Sequence, residues 1–123
     1  MKRPRRRRKG ESGAVTAELA LALPTLMLIV AVGIWMQSAV ALQARCQDAA
    51  RAGARAAARG DPDTAIRSAI TAALPVGASV GISRAGSQVT VTVSASVPVP
   101  GGLSSFVSGP SVSGSAAAQD EDP

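Results

Sequence analysis

Polar and apolar positions divide the chain into regions of different periodicity, and the longest of these is an apolar stretch. No residue between Glu18 and Arg45 is charged, and residues 19–44 are predominantly apolar. As a helix at about 1.5 Å per residue, this stretch would be roughly 39 Å long, against roughly 30 Å for the hydrocarbon core of a bilayer. The pattern predicts one transmembrane helix, in which Trp35 either marks the outer interface or is a packed apolar side chain.

Residues 45–60 predict an Ala- and Arg-rich extension of that helix. Arg51, Arg55 and Arg59 recur at every fourth position, which places them along one stripe. The opposite face is small enough for another helix to approach closely, so we expect an assembly face there; a simple solvated helix is the alternative. The small residues of this face are Ala49, Ala52, Gly53, Ala56 and Ala57.

A second helix is predicted to follow directly. Gly60 favours a helix end, Asp61 fits an N-cap and Pro62 fits the first helical position. The new helix would run to about Leu74 and stop at Pro75. One side presents small and apolar residues to a core, namely Ile66, Ala69, Ile70, Ala73 and Leu74.

Alternating apolar residues predict a small sheet after this helix. Val80 and Ile82 begin a strand, residues 84–87 offer a turn, and apolar residues alternate through residues 88–98. After a loop at residues 101–109, residues 111–118 predict a weaker third strand. The predicted fold class is α+β: a long N-terminal helix that spans the membrane, then a short amphipathic helix and a small antiparallel sheet of two or three strands.

These patterns divide the chain into five parts. A basic leader precedes the transmembrane helix, its Ala- and Arg-rich extension, a small extracytoplasmic α+β domain and an acidic disordered tail. The core of the α+β domain is poor in large side chains, so we expect it to gain order by packing on Ile66 and Ile70 or on partner subunits. In order, the parts are residues 1–13, 14–44, 45–60, 61–118 and 119–123.

The positive charge of the chain belongs to the leader. The formal net charge is +5, yet seven of the 13 basic residues lie in the first nine positions, and after Gly13 there are six Arg against seven acidic residues. A basic cluster beside an apolar span predicts a single-pass protein of the cell membrane, with a cytoplasmic N-terminus and an extracytoplasmic C-terminal domain. A nucleic-acid-binding tail is the weaker alternative, because no recognition module accompanies the basic run.

The apolar segment differs from that of a secretory signal peptide. It is longer than the ordinary apolar region of about 7 to 15 residues, and it carries a carboxylate near its start. The small-residue motif at residues 20–22 comes too early to end such a region. We therefore expect the segment to be retained.

The residues at this junction resemble a known family. Gly13 is followed five positions later by Glu18 within GAVTAELALALPTLMLIV, as in the cleavage region of type IV prepilins. With Pro24 and the run ARCQDAARAGARAAARGDP, they resemble the TadE-like minor pilins, or pseudopilins, of tight-adherence (Flp-type) pilus systems, particularly the actinobacterial versions. The resemblance covers residues 10–62 well and the remainder loosely.

The resemblance implies processing and assembly. A prepilin peptidase would cut between Gly13 and Ala14 at the cytoplasmic face, where glycine suits a narrow site because it lacks a side chain. Glu18 would pair with the N-terminal ammonium of a subunit, because a lone carboxylate in hydrocarbon is costly; a solvated Glu18 at the headgroup level is the alternative. Pro24 would kink the helix, either helping it to leave the bilayer for a filament or without consequence.

Composition argues against catalysis. The chain has no His and one Cys, which excludes internal Cys–His pairs and the common zinc sites, and it has no GKS or GKT phosphate loop. Helix capping explains Asp61 and Asp63 better than acid catalysis does. Cys46 could form a disulfide with another subunit, although a buried apolar position is the more frequent outcome. We expect no enzyme activity, cofactor, metal, small-molecule substrate or nucleic-acid partner.

Three functional hypotheses follow. The leading one is a minor pilin or pseudopilin, processed by a prepilin peptidase, that acts with other pilins, pilus assembly membrane proteins and the lipid bilayer in adhesion and surface colonisation. The second is an uncleaved single-pass membrane anchor whose outer domain binds an envelope protein. The third is a basic-tailed nucleic-acid or DNA-uptake accessory, which is weakened because the chain without its leader is slightly acidic.

Overall fold

A computed structural model describes residues 9–119, which form two helices, three strands and one 3-10 turn. This confirms the predicted α+β fold and the third strand. Most of the predicted leader and residues 120–123 of the predicted tail lie outside the described residues. In chain order the elements are α1 (Lys9–Ala58), α2 (Asp63–Ala72), β1 (Ser79–Ala85), β2 (Gln88–Ser96), the 3-10 turn (Leu103–Ser105) and β3 (Ser111–Gln119).

The chain divides into two compact units, with the boundary between Trp35 and Met36. In the N-terminal unit, α1 exposes its large apolar side chains from Val15 to Ile34 on all sides, with between 47% and 74% of each surface accessible. Leucine and alanine dominate this stretch and are good helix formers. Within residues 9–119, α1 is the helix that is long and apolar enough to cross a membrane.

The C-terminal unit is built on an antiparallel sheet in the order β1-β2-β3. The β1–β2 connection is a two-residue turn at Gly86 and Ser87, and Gly86 supplies the positive φ of 62° that such a turn favours. Because side chains alternate along a strand, β2 buries one face and leaves Ser and Thr on the other. The buried face of β2 consists of Val89, Val91, Val93 and Ala95.

The core lies between that sheet face and the two helices. From α2 it receives Ile66 and Ile70, which are 1% and 3% exposed, so the predicted packing on these two residues is confirmed. Residues 42–57 of α1 contribute mainly small side chains, which allow the helix to lie close to the sheet. The α1 residues of the core are Leu42, Cys46, Ala49, Ala50, Ala54 and Ala57.

Two glycines mark the closest approaches within this core. A Cβ on Gly53 would lie 2.6 Å from Ile70 Cδ1 and 3.1 Å from Val91 Cγ1, so α1, α2 and β2 meet at this residue. A Cβ on Gly114 would lie 2.6 Å from the Gln47 Cα and nitrogen atoms. Because Gln47 presents its backbone there, β3 can contact α1 at this depth only through glycine.

The prediction that the small face of α1 is an assembly face is therefore wrong for those of its residues that are buried within the chain. Ala49, Gly53 and Ala57 are buried by α2 and the sheet of the same chain, whereas Ala52 remains exposed. Small residues did predict close approach correctly, but the element that approaches is the chain's own α2. On α2, Ala69 and Ala73 are exposed, in contrast to their predicted place in the core, because Ile66, Ile70 and Leu74 already fill the inner side.

The end of α1 follows the prediction at Gly60. This residue has a φ of 79°, its N–H donates to the Ala57 carbonyl at 3.0 Å, and the N–H of Asp61 donates to the Ala56 carbonyl at 3.2 Å. These are the two hydrogen bonds of a Schellman motif, which needs a left-handed residue just past the helix. Glycine adopts that conformation without steric cost.

The predicted start of α2 is wrong by one residue. Pro62 occupies the N-cap with an extended backbone (φ −66°, ψ 146°), and its carbonyl accepts hydrogen bonds from the N–H groups of Ala65 and Ile66. The Asp61 side chain pairs with Arg59, with 3.1 Å between Nη2 and Oδ2. Because the Asp61 N–H completes the Schellman motif at the end of α1, Pro62 and not Asp61 is the N-cap of α2.

Helix side chains hold both edge strands of the sheet. From α1, Gln43 Nε2 donates to the Ser113 carbonyl at 2.6 Å and Gln47 Nε2 donates to the Ser115 carbonyl at 3.0 Å. From α2, Arg67 donates to the Val80 carbonyl on β1. These contacts use backbone groups of strands that have one strand neighbour each, and such groups otherwise favour pairing with other chains.

Candidate processing and assembly segment

The predicted functional residues of the leader junction lie on the N-terminal part of α1. Gly13, Ala14, Glu18 and Pro24 are all helical and all exposed. The helix alone positions them, because each belongs to the unit that ends at Trp35. Their geometry is therefore set by the spacing of residues along one helix.

Gly13 has no packing role in its own unit. A Cβ at this position would meet no atom within 4 Å, and the same is true at Gly10. Neither residue has a positive φ, so neither conformation requires glycine. Glycine in a helix costs about 1 kcal/mol relative to alanine. Its effect here is to make the turn around the Gly13–Ala14 peptide bond easier to unwind.

Ala14 and Glu18 lie one helical turn apart on the same face. Residues at this spacing are surface neighbours, with about 5–6 Å between their Cβ atoms. Glu18 is the single charged residue between Ser12 and Ala44. The nearby Thr16 hydroxyl is already engaged, since it donates to the Ser12 carbonyl at 2.9 Å. The exposed Glu18 carboxylate is thus the main polar feature of this apolar surface.

Pro24 does not interrupt the helix. The α1 segment continues through it, although proline lacks the N–H that would bond to the carbonyl one turn earlier. In the same turn, the Thr25 hydroxyl donates to the Leu21 carbonyl at 2.9 Å, which is how Ser and Thr are accommodated in apolar helices. A kink at Pro24 stays a prediction.

Cys46 lies in the core of the C-terminal unit. Its side chain is fully buried, and burial raises the pKa of the thiol because the thiolate is less well solvated there. A neutral, buried thiol is unreactive. The monomer therefore matches the alternative in which Cys46 is a small core residue, and a disulfide with a second chain would require this core to open.

Sequence reasoning missed an apolar groove between α1 and α2 in the C-terminal unit. Its volume is about 420 Å³, and among its lining residues the two charged ones, Arg59 and Asp61, pair with each other. Gly53 and the alanines around it have side chains too short to fill the space between the two helices, and this run of small residues was the sequence signal for the groove. In the described range 9–119, no group of three or more His, Cys, Asp or Glu residues is placed to hold a metal ion.

Comparison with known protein families bears directly on α1. A family model described as TadE-like protein matches residues 13–55, from Gly13 to Arg55. This segment of the chain is similar to the TadE-like family. The match begins at the residue before the predicted cut and ends in the Arg-containing part of α1, so the matched segment lies within one helix. The apolar length of α1 supports a membrane location.

A curated relative extends the similarity beyond the TadE-like helix. The protein is similar to Apoptosis inhibitor Rv3655c of Mycobacterium tuberculosis, with 45% identity over 78 residues. The alignment covers 63% of this chain and 62% of the relative, so the chain spans less than two thirds of the relative's length. The apoptosis-inhibitor activity in that name belongs to the relative. No solved structure matches the chain.

Proposed function

We propose that this TadE-like protein is a minor pilin or pseudopilin that a prepilin peptidase processes before it takes part in assembly of a tight-adherence pilus. The observation that carries the proposal is the start of the family match at Gly13, five residues before the lone carboxylate of an exposed apolar helix. The N-terminus would be cytoplasmic and residues 45–119 extracytoplasmic, because the basic leader precedes the span.

The processing step is hydrolysis of the Gly13–Ala14 peptide bond. Water adds across the amide, which leaves a carboxylate on Gly13 and an ammonium group on Ala14. The helical turn at the bond would unwind to enter the peptidase, and Gly10 and Gly13 lower the cost of unwinding. Removal of residues 1–13 also removes seven basic side chains and reverses the sign of the formal charge.

The new ammonium group gives Glu18 an electrostatic partner. Within one chain the two groups would lie about one helical turn apart, and between parallel helices the same face would offer Glu18 to a neighbouring subunit. An isolated carboxylate is costly in hydrocarbon, whereas a paired one is tolerated. Pairing between subunits would fix the axial register of one helix against the next.

Cleavage is tested by the mass of the N-terminus in cells that contain the peptidase. The native chain should begin at Ala14, and Gly13→Leu should retain Met1 or the next residue because a side chain at Gly13 blocks the site. Gly10→Leu is the matched control, because Gly10 is also an exposed helical glycine with open space at Cβ. A native chain that keeps its leader would contradict processing and favour the uncleaved anchor.

The role of Glu18 is tested separately from cleavage. Glu18→Gln should be processed normally but should reduce incorporation into sheared surface pili, since the ammonium of Ala14 loses its counter-charge. Glu11→Gln removes the same charge from the portion that is discarded, so incorporation should be unchanged. Equal incorporation of the Glu18→Gln chain and the native chain would exclude the pairing role.

A further inference from the structure

The C-terminal unit carries an exposed apolar surface in the segment that joins β2 to β3. Phe106, the single Phe of the chain, is 86% exposed, and its neighbours Leu103 and Val107 are more than half exposed. Val76, in the α2–β1 connection, is fully exposed. Scattered apolar side chains are ordinary on surfaces, but two loops with only apolar large side chains at their tips indicate a binding surface.

Both loops lie at one end of the unit, next to residues 38–45 of α1. Pro75 and Pro98, which begin the two loops, line a cavity of about 280 Å³ together with Ser38, Leu42 and Arg45.

The β2–β3 segment returns at the same end. The carbonyl of Ser113, near the start of β3, accepts a hydrogen bond from Gln43, and the carbonyl of Ser115 accepts one from Gln47. The strand β3 and the helix α1 therefore run in the same direction. The β1–β2 turn at Gly86 therefore lies at the opposite end of the sheet.

The charge pattern distinguishes lipid from other occupants. No residue from 85 to 119 is charged, and on α1 the uncharged stretch ends only at Arg45. The exposed loops thus lie beside the α1 residues at which the predicted membrane span ends. Protein interfaces usually have a rim with complementary charges, whereas residues 85–119 contribute no charge at this end and α1 contributes Arg45, which lines the cavity beside Pro98.

We propose that the loop at residues 98–110, together with Val76, inserts its apolar side chains into the interfacial layer of the same bilayer that α1 spans. Gly101 and Gly102 both have positive φ values, 75° and 73°, and they turn the chain so that the 3-10 turn presents Leu103 and Phe106 outward. The insertion would hold the C-terminal unit at the membrane surface as a second, reversible contact beside the span.

The attraction is apolar, because the loop has no cation to contact anionic headgroups. It should therefore be independent of lipid charge and ionic strength, unlike the binding of basic segments. The inference rests on the membrane-spanning part of the proposed function and is independent of leader cleavage.

Quenching by lipids brominated on their acyl chains tests the insertion in the full chain reconstituted into vesicles. In the native chain, the quenched fluorescence is that of Trp35, its single Trp, which lies in the predicted span. In a Trp35→Phe background, Phe106→Trp places the reporter in the loop, and Gln88→Trp places it at an exposed position beside the Gly86 turn as the matched control. Both replaced side chains are exposed, so neither change disturbs the core.

The expected result is strong quenching at position 106 and little at position 88, equal in zwitterionic and anionic vesicles and at low and high salt. Equal quenching at the two positions with Trp35 quenched would overturn the loop contact while leaving the span intact. A blue-shifted but unquenched reporter at 106 would also overturn it, because a protein would then cover the loop. Loss of Trp35 quenching would overturn the span itself, and N-terminal mass would still report processing independently.

Discussion

The two units of the chain use the same apolar residue types in opposite ways. In the N-terminal unit, Leu, Ile and Val side chains surround α1 and remain exposed. A helix that is apolar on all sides requires lipid or other helices to cover its surface. In the core of the C-terminal unit, the Ile side chains of α2 and the Val side chains of β2 are buried against Ala and Gly of α1. The difference shows that α1 carries two kinds of surface, one that needs an external environment and one that the chain satisfies itself.

The largest expected effect compares isoleucine in the two units. Ile70→Ala should lower the free energy of unfolding of the C-terminal unit by about 2–5 kcal/mol, because it opens a cavity beside Gly53. Ile29→Ala should leave that free energy unchanged within about 0.5 kcal/mol, because Ile29 is 63% exposed. Hydrogen exchange of the β2 amides in the full chain in detergent measures both; similar losses would break the contrast between the units.

A slightly smaller effect is expected where β3 meets α1. Gly114→Ala places a methyl group against the Gln47 backbone and should destabilise the C-terminal unit by about 1–3 kcal/mol. Gly81→Ala is the control on β1, where the nearest atoms lie 3.9 Å from a Cβ, and it should be neutral or slightly stabilising. Denaturant titration of the two variants measures the difference. Equal stability would mean that the strand shifts freely away from the helix.

The hydrogen bonds from α1 to β3 should contribute less. Gln47→Ala removes the donor to the Ser115 carbonyl and should cost about 0.5–1.5 kcal/mol of stability. Gln37→Ala, at an exposed position of the same helix, should cost little. The same titration applies, and exchange of the β3 amides should rise in the first variant only. An unchanged β3 in Gln47→Ala would show that packing at Gly114 is sufficient to hold the strand.

The smallest effect is expected at the ion pair between β1 and α2. Arg84 Nη2 lies 2.7 Å from Asp63 Oδ1, but both side chains are nearly half exposed, so a double-mutant cycle should give a coupling of about 0.2–1 kcal/mol that falls with salt. The more exposed pair Arg51–Asp48, at 3.7 Å, is the control and should show less coupling. A larger coupling in the control would contradict the ranking by geometry and exposure.

Local signals in the sequence determined much of this protein. The uncharged run before Arg45, the left-handed end at Gly60 and the alternating valines of β2 were sufficient to predict α1, its end and the sheet. The Gly13–Glu18 spacing, Pro24 and the Ala- and Arg-rich run that follows the apolar stretch likewise predicted a resemblance to TadE-like proteins, and a TadE-like family model matches residues 13–55. Each of these features depends on residues within a few positions of one another, where backbone sterics and periodicity act directly.

Tertiary structure alone decided which surfaces are occupied. The small face of α1 predicted a close partner, but only the folded chain shows that α2 and β2 meet it at Gly53 and that β3 meets it at Gly114. Asp61 lost its capping role because its backbone closes the preceding helix. Burial and hydrogen-bond partners depend on residues distant in the sequence, and a local pattern specifies that a surface needs a partner without specifying which one.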